Sequence, residues 1–337
     1  MKRNTLITVA SLVAAVALLP VTATAQAEKV QVFILMGQSN MVGLGKVNGG
    51  EGALETAVKE KKYPYLVDAS GAWSERKDVR YVRVMSGKGG GMQQFNNEWM
   101  TVKTCKTIGP EFGIADVVGD AVDAPVMILK SCIGNRSLGW DLLPPGSAQY
   151  EVDGKVYAGY KDSPDSWPKG TEPKAINWYA GKQYDDDVAH AKQVLVDLNK
   201  FYPGQTQYEV AGFFFWHGEK DCGNPAHASR YEQNLVHFIK QLRKDFDAPN
   251  AKFVLATLGE ATKGSGGNGG KVLEAQLAVD GKSGKYPEFK GNVAAVYTNP
   301  LSKGGSGNSH YNGNAETYMD VGEAMGKAMA ELLETKN

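Results

Sequence analysis

Short runs of apolar residues recur along the chain, and glycine or polar residues bound each run. The first, at residues 30–36 (VQVFILM), carries β-branched or apolar side chains on both faces. This pattern is typical of a central parallel strand that is covered on both sides. Comparable runs predict further strands at residues 81–84, 124–131, 208–215, 252–258 and 293–297.

Apolar residues at helical spacing lie between and after these runs. They predict helices at residues 110–118, 176–199, 231–246 and 315–334. Strands that alternate with helices imply a parallel sheet with right-handed crossover connections. The pattern therefore predicts an α/β fold class.

Polar residues and glycines follow several of the predicted strands. Ser39 comes just after the first strand, and Gly37 before it allows a sharp turn. Open α/β sheets bind their ligands at the carboxyl ends of their strands, so Ser39 has an enzyme-like position. The alternative is that Ser39 and Asn40 only cap a following helix, because both residue types are preferred caps.

Three other segments reach the same edge of the predicted sheet. Gly134 and Asn135 follow the strand at 124–131, and His217 and Glu219 follow the strand at 208–215. His310 precedes the last predicted helix. A serine hydroxyl needs a neighbouring imidazole to take its proton, so this set of residues indicates nucleophilic catalysis by Ser39 with His310.

The amino terminus has the pattern of a secretory signal peptide. Lys2 and Arg3 precede an apolar run at residues 6–19, and Ala25 and Ala27 form a small-x-small cleavage site. We expect residues 1–27 to be removed near Ala27, and residues 28–337 to form a single exported domain, periplasmic or extracellular. No second apolar stretch is long enough to span a bilayer, so we expect no membrane association after cleavage. The alternative is an uncleaved anchor that tethers the domain.

Composition limits the partners of the domain. The 37 basic residues balance 37 acidic ones, which gives no electrostatic case for nucleic acid binding. A share of 42% hydrophobic residues suffices for one large core, and we expect a monomer. Forty glycines and fourteen prolines indicate long loops, among them an insertion at residues 139–174 that is rich in aromatic residues. Its aromatic rings either stack on sugars or pack the loop.

The chain contains three cysteines and one cluster of possible metal ligands. Cys105, Cys132 and Cys222 leave one thiol unpaired if a single disulfide forms, and the sequence does not choose the pair. Histidine, cysteine and acidic side chains cluster in one segment: His217, Glu219, Asp221, Cys222 and His227. Their spacing fits no standard zinc pattern, so we predict neither a metal nor a cofactor.

The sequence blocks around these residues resemble those of the SGNH hydrolase superfamily. Within it they are similar to the carbohydrate acetylesterases grouped with sialate O-acetylesterase, including those like carbohydrate esterase family six. Gly37-Gln-Ser-Asn-Met41 matches the nucleophile block of that group residue for residue. Gly134-Asn-Arg-Ser-Leu138, Trp216-His-Gly-Glu219 and Ser309-His310 resemble its later blocks. The resemblance implies a flavodoxin-like three-layer α/β/α sandwich with a central, mostly parallel sheet.

The resemblance also implies an activity and a substrate class. It implies a serine esterase that removes O-acetyl groups from an acetylated carbohydrate, either a polysaccharide or sialic acid, through an acyl-enzyme and without a cofactor. The alternative is a catalytically impaired relative that binds glycans. Two positions depart from the family and motivate this alternative. Gly307 replaces the usual aspartate three residues before His310, and His217 replaces a glutamine.

The same resemblance assigns roles to individual residues. Ser39 is the expected nucleophile, His310 its base, and Glu219 the acid that orients His310, chosen over Asp221. The expected oxyanion hole comprises Ser39, Gly134, Asn135 and His217. The expected substrate contacts are Gln38, Asn40, Arg136, Trp140 and Trp216.

Overall fold

A computed structural model describes residues 28–87 and 90–335. The predicted signal peptide at residues 1–27 lies outside the described residues. The strands are β1 Val30–Gly37, β2 Gly45–Lys46, β3 Arg76–Ser86, β4 Met92–Met100, β5 Thr107–Ile108, β6 Val126–Ser131, β7 Tyr150–Val152, β8 Lys155–Tyr157, β9 Ser166–Pro168, β10 Tyr208–Trp216, β11 Lys252–Ala256 and β12 Val293–Val296. The α-helices are α1 Ser39–Val42, α2 Leu54–Lys59, α3 Glu111–Ala121, α4 Lys182–Val196, α5 Leu198–Phe201, α6 Glu219–Cys222, α7 Pro225–Asp245, α8 Gly267–Ala278 and α9 Ala315–Glu334.

A seven-stranded sheet forms the middle layer, in the order β12-β11-β10-β1-β6-β3-β4. Its neighbouring strands are parallel except at the edge, where β4 runs antiparallel to β3. Side chains of β1 alternate between two apolar clusters, with Ile34 in one and Phe33 in the other. The predicted α/β fold class and mostly parallel sheet are therefore confirmed.

Helices cover both faces of this sheet. On one face α3 packs against α9, and the backbones approach closely because Gly113 and Gly322 lie at the contact. On the other face α4 packs against β3 and β6, and α7 packs against α8. The result is the α/β/α sandwich that the resemblance implied.

Some predicted elements differ from the observed ones. The helix expected at 176–199 begins only at Lys182, because Gly181 before it has a left-handed backbone (φ 88°). The predicted strand at 81–84 is part of the longer β3, which pairs with β4 along a polar edge. The sequence did not predict β4, whose side chains (MQQFNNEWM) are mostly polar and half-exposed.

The insertion at 139–174 has a structure of its own. Strands β7, β8 and β9 form a small antiparallel sheet within it. A satellite cluster contains Trp140 and Leu143, with Trp167 and Trp178 packed against it. Trp140 and Trp167 therefore pack within the insertion, and Tyr150 and Tyr157 stack on each other with ring centroids 5.1 Å apart.

None of the helices among the described residues has the length and apolarity that crossing a membrane requires. Cys105, Cys132 and Cys222 are all free thiols, so the pairing considered from the sequence is not present.

Candidate active site

Ser39 lies two residues after the end of β1, at the first position of the short helix α1. Gly37 makes this turn with φ 147°, and a Cβ there would stand 2.3 Å from the Trp216 carbonyl oxygen. No side chain caps α1, and its cap position is Gln38. The interpretation of Ser39 as a helix cap is therefore wrong, and its hydroxyl is available for chemistry.

His310 faces this serine. The distance between His310 Nε2 and Ser39 Oγ is 2.9 Å, within hydrogen-bonding reach. The pairing across 271 residues brings together the two side chains that nucleophilic catalysis requires.

A left-handed turn presents His310 to Ser39. His310, Tyr311 and Asn312 have φ values of 54°, 52° and 52°, a region that side chains other than glycine rarely adopt. Tyr311 is fully buried and stacks on Trp216 with ring centroids 5.9 Å apart. Burial of Tyr311 thus holds a strained turn in place. The expected role of Trp216 in substrate contact is corrected, because its side chain is buried at 0% exposure beneath this turn.

Glu219 does not contact His310. Its carboxylate accepts hydrogen bonds from Gln38 Nε2 at 2.5 Å and from Asn40 Nδ2 at 2.6 Å. Among the described residues, no carboxylate bonds to His310. The expectation that Glu219 orients His310 is therefore corrected, because its two oxygens bind the amides that flank Ser39.

Asn40 joins the serine turn to the histidine turn. Its side chain is fully buried, and Nδ2 also donates to the Gly307 carbonyl oxygen at 3.0 Å. Its Oδ1 accepts the Tyr318 hydroxyl at 3.0 Å. Asn40 is therefore a positioning residue instead of the substrate contact that was expected.

Gly134 and Asn135 lie on the loop after β6 and line the same cavity as Ser39. A Cβ on Gly134 would stand 3.3 Å from the Ser39 Cβ, so even an alanine there would be in tight contact with the nucleophile. Within the described part of the chain, no acceptor bonds the backbone N–H of Gly134 or Asn135. These donors are thus free to bind an oxyanion.

His217 contacts this loop outside the cavity. Its ring is fully buried, its Nε2 lies 2.8 Å from the Arg136 carbonyl oxygen, and its Nδ1 lies 3.0 Å from the Tyr231 hydroxyl. Because a carbonyl only accepts, Nε2 carries the proton and Nδ1 accepts from Tyr231. Burial lowers the pKa of His217, which favours this neutral form. The expectation that His217 itself donates to the oxyanion is corrected, since its side chain does not line the cavity.

Two buried carboxylates complete the support of the loop. Asp221 accepts the backbone N–H groups of Leu138 and Gly139, each at 2.8 Å. Asp141 accepts the Ser137 N–H at 2.8 Å. From the sequence, Asp221 was only the second choice for the acid that orients His310, and no role was predicted for Asp141.

The remaining expected substrate contacts divide into two groups. Gln38 and Trp140 line the cavity, so their contact with substrate stays a prediction. Arg136 does not line it, because its guanidinium lies over the Trp178 ring, 4.9 Å from the centroid, and bonds Gln183. The expected substrate contact of Arg136 is corrected for this reason.

The cavity around Ser39 and His310 has a volume of about 950 Å³. This volume is at the upper end of the range for small-molecule sites. Four ionisable residues that line it were not predicted from the sequence: Asp141, Asp165, Lys220 and Glu260. Asp165 lies in the insertion and Glu260 follows β11, where no motif signal marks them.

The residues considered for a metal have other contacts. His217 and Glu219 use their polar atoms as described above, and His227 Nε2 pairs with Asp165 at 2.9 Å. In the part of the chain that the structure describes, no group of three or more histidine, cysteine or acidic side chains is arranged to hold a metal ion.

Burial, with a smaller contribution from the nearby Glu260, raises the pKa of the Glu219 carboxyl to about 7. A carboxyl whose pKa is higher in the folded than in the unfolded state destabilises the fold as it ionises. Relative to Glu219→Gln, we expect the unfolding free energy of the wild type to fall by an amount on the order of 3 kcal/mol between pH 4.5 and about pH 7. Urea unfolding across this range measures the difference.

Glu331→Gln is the matched control for this measurement, because Glu331 is exposed on α9 and outside the cavity. Its unfolding free energy should follow that of the wild type across the same range. If the difference in unfolding free energy between the wild type and Glu219→Gln stays constant from acid to neutral pH, the raised pKa of Glu219 is contradicted.

Gly307 is confined by two carboxylates. A Cβ at this position would stand 2.7 Å from both Glu219 Oε1 and Glu260 Oε2. We expect Gly307→Ala to lower the unfolding free energy by about 1–3 kcal/mol and to reduce activity, because either the two carboxyl groups or the histidine turn must shift. Gly307→Asp, which restores the residue type usual in the family, should be worse because it adds a negative charge beside two carboxyl groups. Urea unfolding and ester hydrolysis assays measure both effects.

Gly269→Ala is the control, since a Cβ there meets no atom within 4 Å. It should be neutral or stabilise α8 by up to about 1 kcal/mol. Activity that rises in Gly307→Asp contradicts this account of the turn.

The chain is similar to known proteins over most of its length. A profile of the family described as carbohydrate esterase, sialic acid-specific acetylesterase, matches residues 29–151 and 164–331. A search of curated proteins finds no match.

Two solved structures share the fold. One is a protein from Arabidopsis thaliana, with a TM-score of 0.50 and 17% identity over 89% of this chain and 97% of that one. The other is a carbohydrate acetylesterase from Xanthomonas citri, with a TM-score of 0.50 and 14% identity. It matches 88% of this chain, which spans 55% of that protein. At these identities the structures show the fold alone, whereas the profile covers most of the sequence. The chain belongs to the carbohydrate esterase family of sialic acid-specific acetylesterases.

Proposed function

We propose that the protein is a serine esterase that removes O-acetyl groups from carbohydrate. The observation that carries the proposal is the 2.9 Å contact between Ser39 Oγ and His310 Nε2 at the edge of a cavity that can admit a sugar. Family membership supports the choice of an acetyl ester as the bond that is cleaved.

The proposed reaction has two steps. His310 Nε2 takes the Ser39 proton as Oγ attacks the acetyl carbonyl, and the N–H groups of Ser39, Gly134 and Asn135 bind the oxyanion. The proton then passes to the sugar oxygen, the ester C–O bond breaks, and an acetyl group remains on Ser39. Water activated by His310 attacks this acetyl-enzyme, releases acetate and restores the serine.

The absence of a carboxylate on His310 among the described residues supports a Ser-His dyad over a triad. Asn40 and the stacking of Tyr311 on Trp216 hold the imidazole turn, which is the orienting role that an acid has in a triad. The alternative is a catalytically impaired protein that binds glycans. The contact between Ser39 and His310 favours the esterase over this alternative.

Acetate release from a panel of acetylated polysaccharides and acetylated sialic acid tests the proposal. We expect release by the wild type from at least one member, and its loss in Ser39→Ala with the fold retained. Folded wild-type protein that releases acetate from none of them contradicts esterase function and favours the glycan-binding alternative.

We also propose that the protein is exported after cleavage near Ala27 and acts as a monomer. The basic, apolar and small-residue pattern of residues 1–27 supports export. Amino-terminal sequencing of protein recovered outside the cytoplasm should begin at Glu28.

A further inference from the structure

The polar lining of the Ser39 cavity is dominated by hydrogen-bond acceptors. Four carboxyl groups face it: Asp141, Asp165, Glu219 and Glu260. Gln38 adds a fifth acceptor that has no partner. Its side chain is 2% exposed, its Nε2 binds Glu219, and its Oε1 has no hydrogen-bond partner in the described structure. This atom is enclosed by protein, so the accessible acceptors of the lining are the carboxyl groups.

Positive charge in the same cavity is scarce. The basic lining residues are Lys220, His227 and His310. His227 pairs with Asp165 at 2.9 Å, and His310 faces Ser39. This leaves Lys220 against Asp141 and Glu260, with Glu219 only partly ionised near neutral pH because its pKa is raised to about 7. Arginine, the residue best suited to bind a carboxylate in a bidentate way, does not occur among the lining residues.

From this lining we infer that the acetylated sugar is uncharged and presents hydroxyl groups to the exposed Glu260 carboxylate, and that sugars bearing a carboxylate next to the acetyl ester are disfavoured. The inference rests on the proposed esterase function and names its substrate class. Hydroxyl groups satisfy acceptors, whereas a carboxylate offers no donor and is repelled by the same groups. The cavity therefore selects by charge and by hydrogen-bond donors.

Two matched substrate pairs test the inference, because the members of each pair differ in charge. One pair is an O-acetylated methyl glucoside and the corresponding methyl glucuronide. The other is O-acetylated sialic acid and its carboxyl methyl ester. Acetate release gives kcat/KM for each, and para-nitrophenyl acetate with Ser39→Ala serves as the reference for serine-dependent hydrolysis.

We expect kcat/KM to be at least about ten-fold higher for the uncharged member at low ionic strength, with a smaller ratio in high salt because salt screens charge. Glu260→Gln should reduce this ratio several-fold. Its amide oxygen still accepts the Gly307 N–H, which Glu260 Oε2 accepts at 3.1 Å. Glu331→Gln, outside the cavity, should keep the wild-type ratio.

A charged member that reacts as well as its uncharged partner, or a ratio that Glu260→Gln leaves unchanged, overturns the inference while the esterase function stands. A preference for the charged member that Lys220→Gln reverses overturns it as well, and identifies Lys220 as a carboxylate site. No Ser39-dependent acetate release from any sugar overturns the proposed function, and this inference with it.

Discussion

His310→Ala is expected to lower kcat for hydrolysis of an acetyl ester by about 10⁴- to 10⁶-fold, because Ser39 then has no group to take its proton. Ser39 and His310 act as one unit across their 2.9 Å contact. The double variant Ser39→Ala/His310→Ala should therefore be about as inactive as either single variant. Steady-state rates on para-nitrophenyl acetate and on an acetylated sugar measure both effects.

His237→Asn is the control for a general loss of histidine chemistry, because His237 is half-buried and outside the cavity. It should keep kcat within a few-fold of the wild type. If kcat of His310→Ala also stays within ten-fold of the wild-type value, His310 is not the general base. Losses in the two single variants that add in the double variant show that the residues act independently.

Lys130→Met is expected to lower the free energy of unfolding by about 3–5 kcal/mol. Lys130 and Glu111 form a buried ion pair at 2.6 Å, with side chains 1% and 4% exposed. Lys130 Nζ also donates to the Val42 carbonyl oxygen at 3.0 Å, at the end of the serine helix α1. Removing the lysine leaves the Glu111 charge buried without its partner and frees the end of that helix. Urea unfolding measures the loss.

Two further variants separate charge from packing. Lys130→Met/Glu111→Leu should be more stable than Lys130→Met, because it removes the unpaired charge. Lys169→Met breaks an exposed pair with Glu151 and should cost at most about 1 kcal/mol. A Lys130→Met variant as stable as Lys169→Met contradicts the account of the buried pair.

The parallel strands were predictable from the sequence because strands that are buried on both faces consist mostly of apolar residues. Strand β1 is apolar on both faces, and the structure places it near the middle of the sheet. Strand β4 lies at the edge with polar, half-exposed side chains, so hydrophobic periodicity carries no signal for it. Helix α8 was overlooked for a related reason, since it begins with several glycines (GNGG) that resemble a loop.

The pairing of Ser39 with His310 was also predictable, because each residue lies in a short block that resembles the family. The roles of Glu219 and His217 were not, since block similarity gives residue type but not the direction of a side chain. Glu219 turns toward two amides that its neighbours Gln38 and Asn40 offer. Glu260 and Asp165 reach the cavity only through tertiary folding, so a linear pattern does not reveal them.

The central claim is that Ser39, activated by His310, is the nucleophile, and covalent labelling tests it most directly. A phosphonate probe reacts with an activated serine, and peptide mass spectrometry then locates the adduct. We predict one adduct on the peptide that contains Ser39, blocked by an acetylated sugar and absent from His310→Ala. A protein that releases acetate while the adduct lies on another residue, or does not form, contradicts the account.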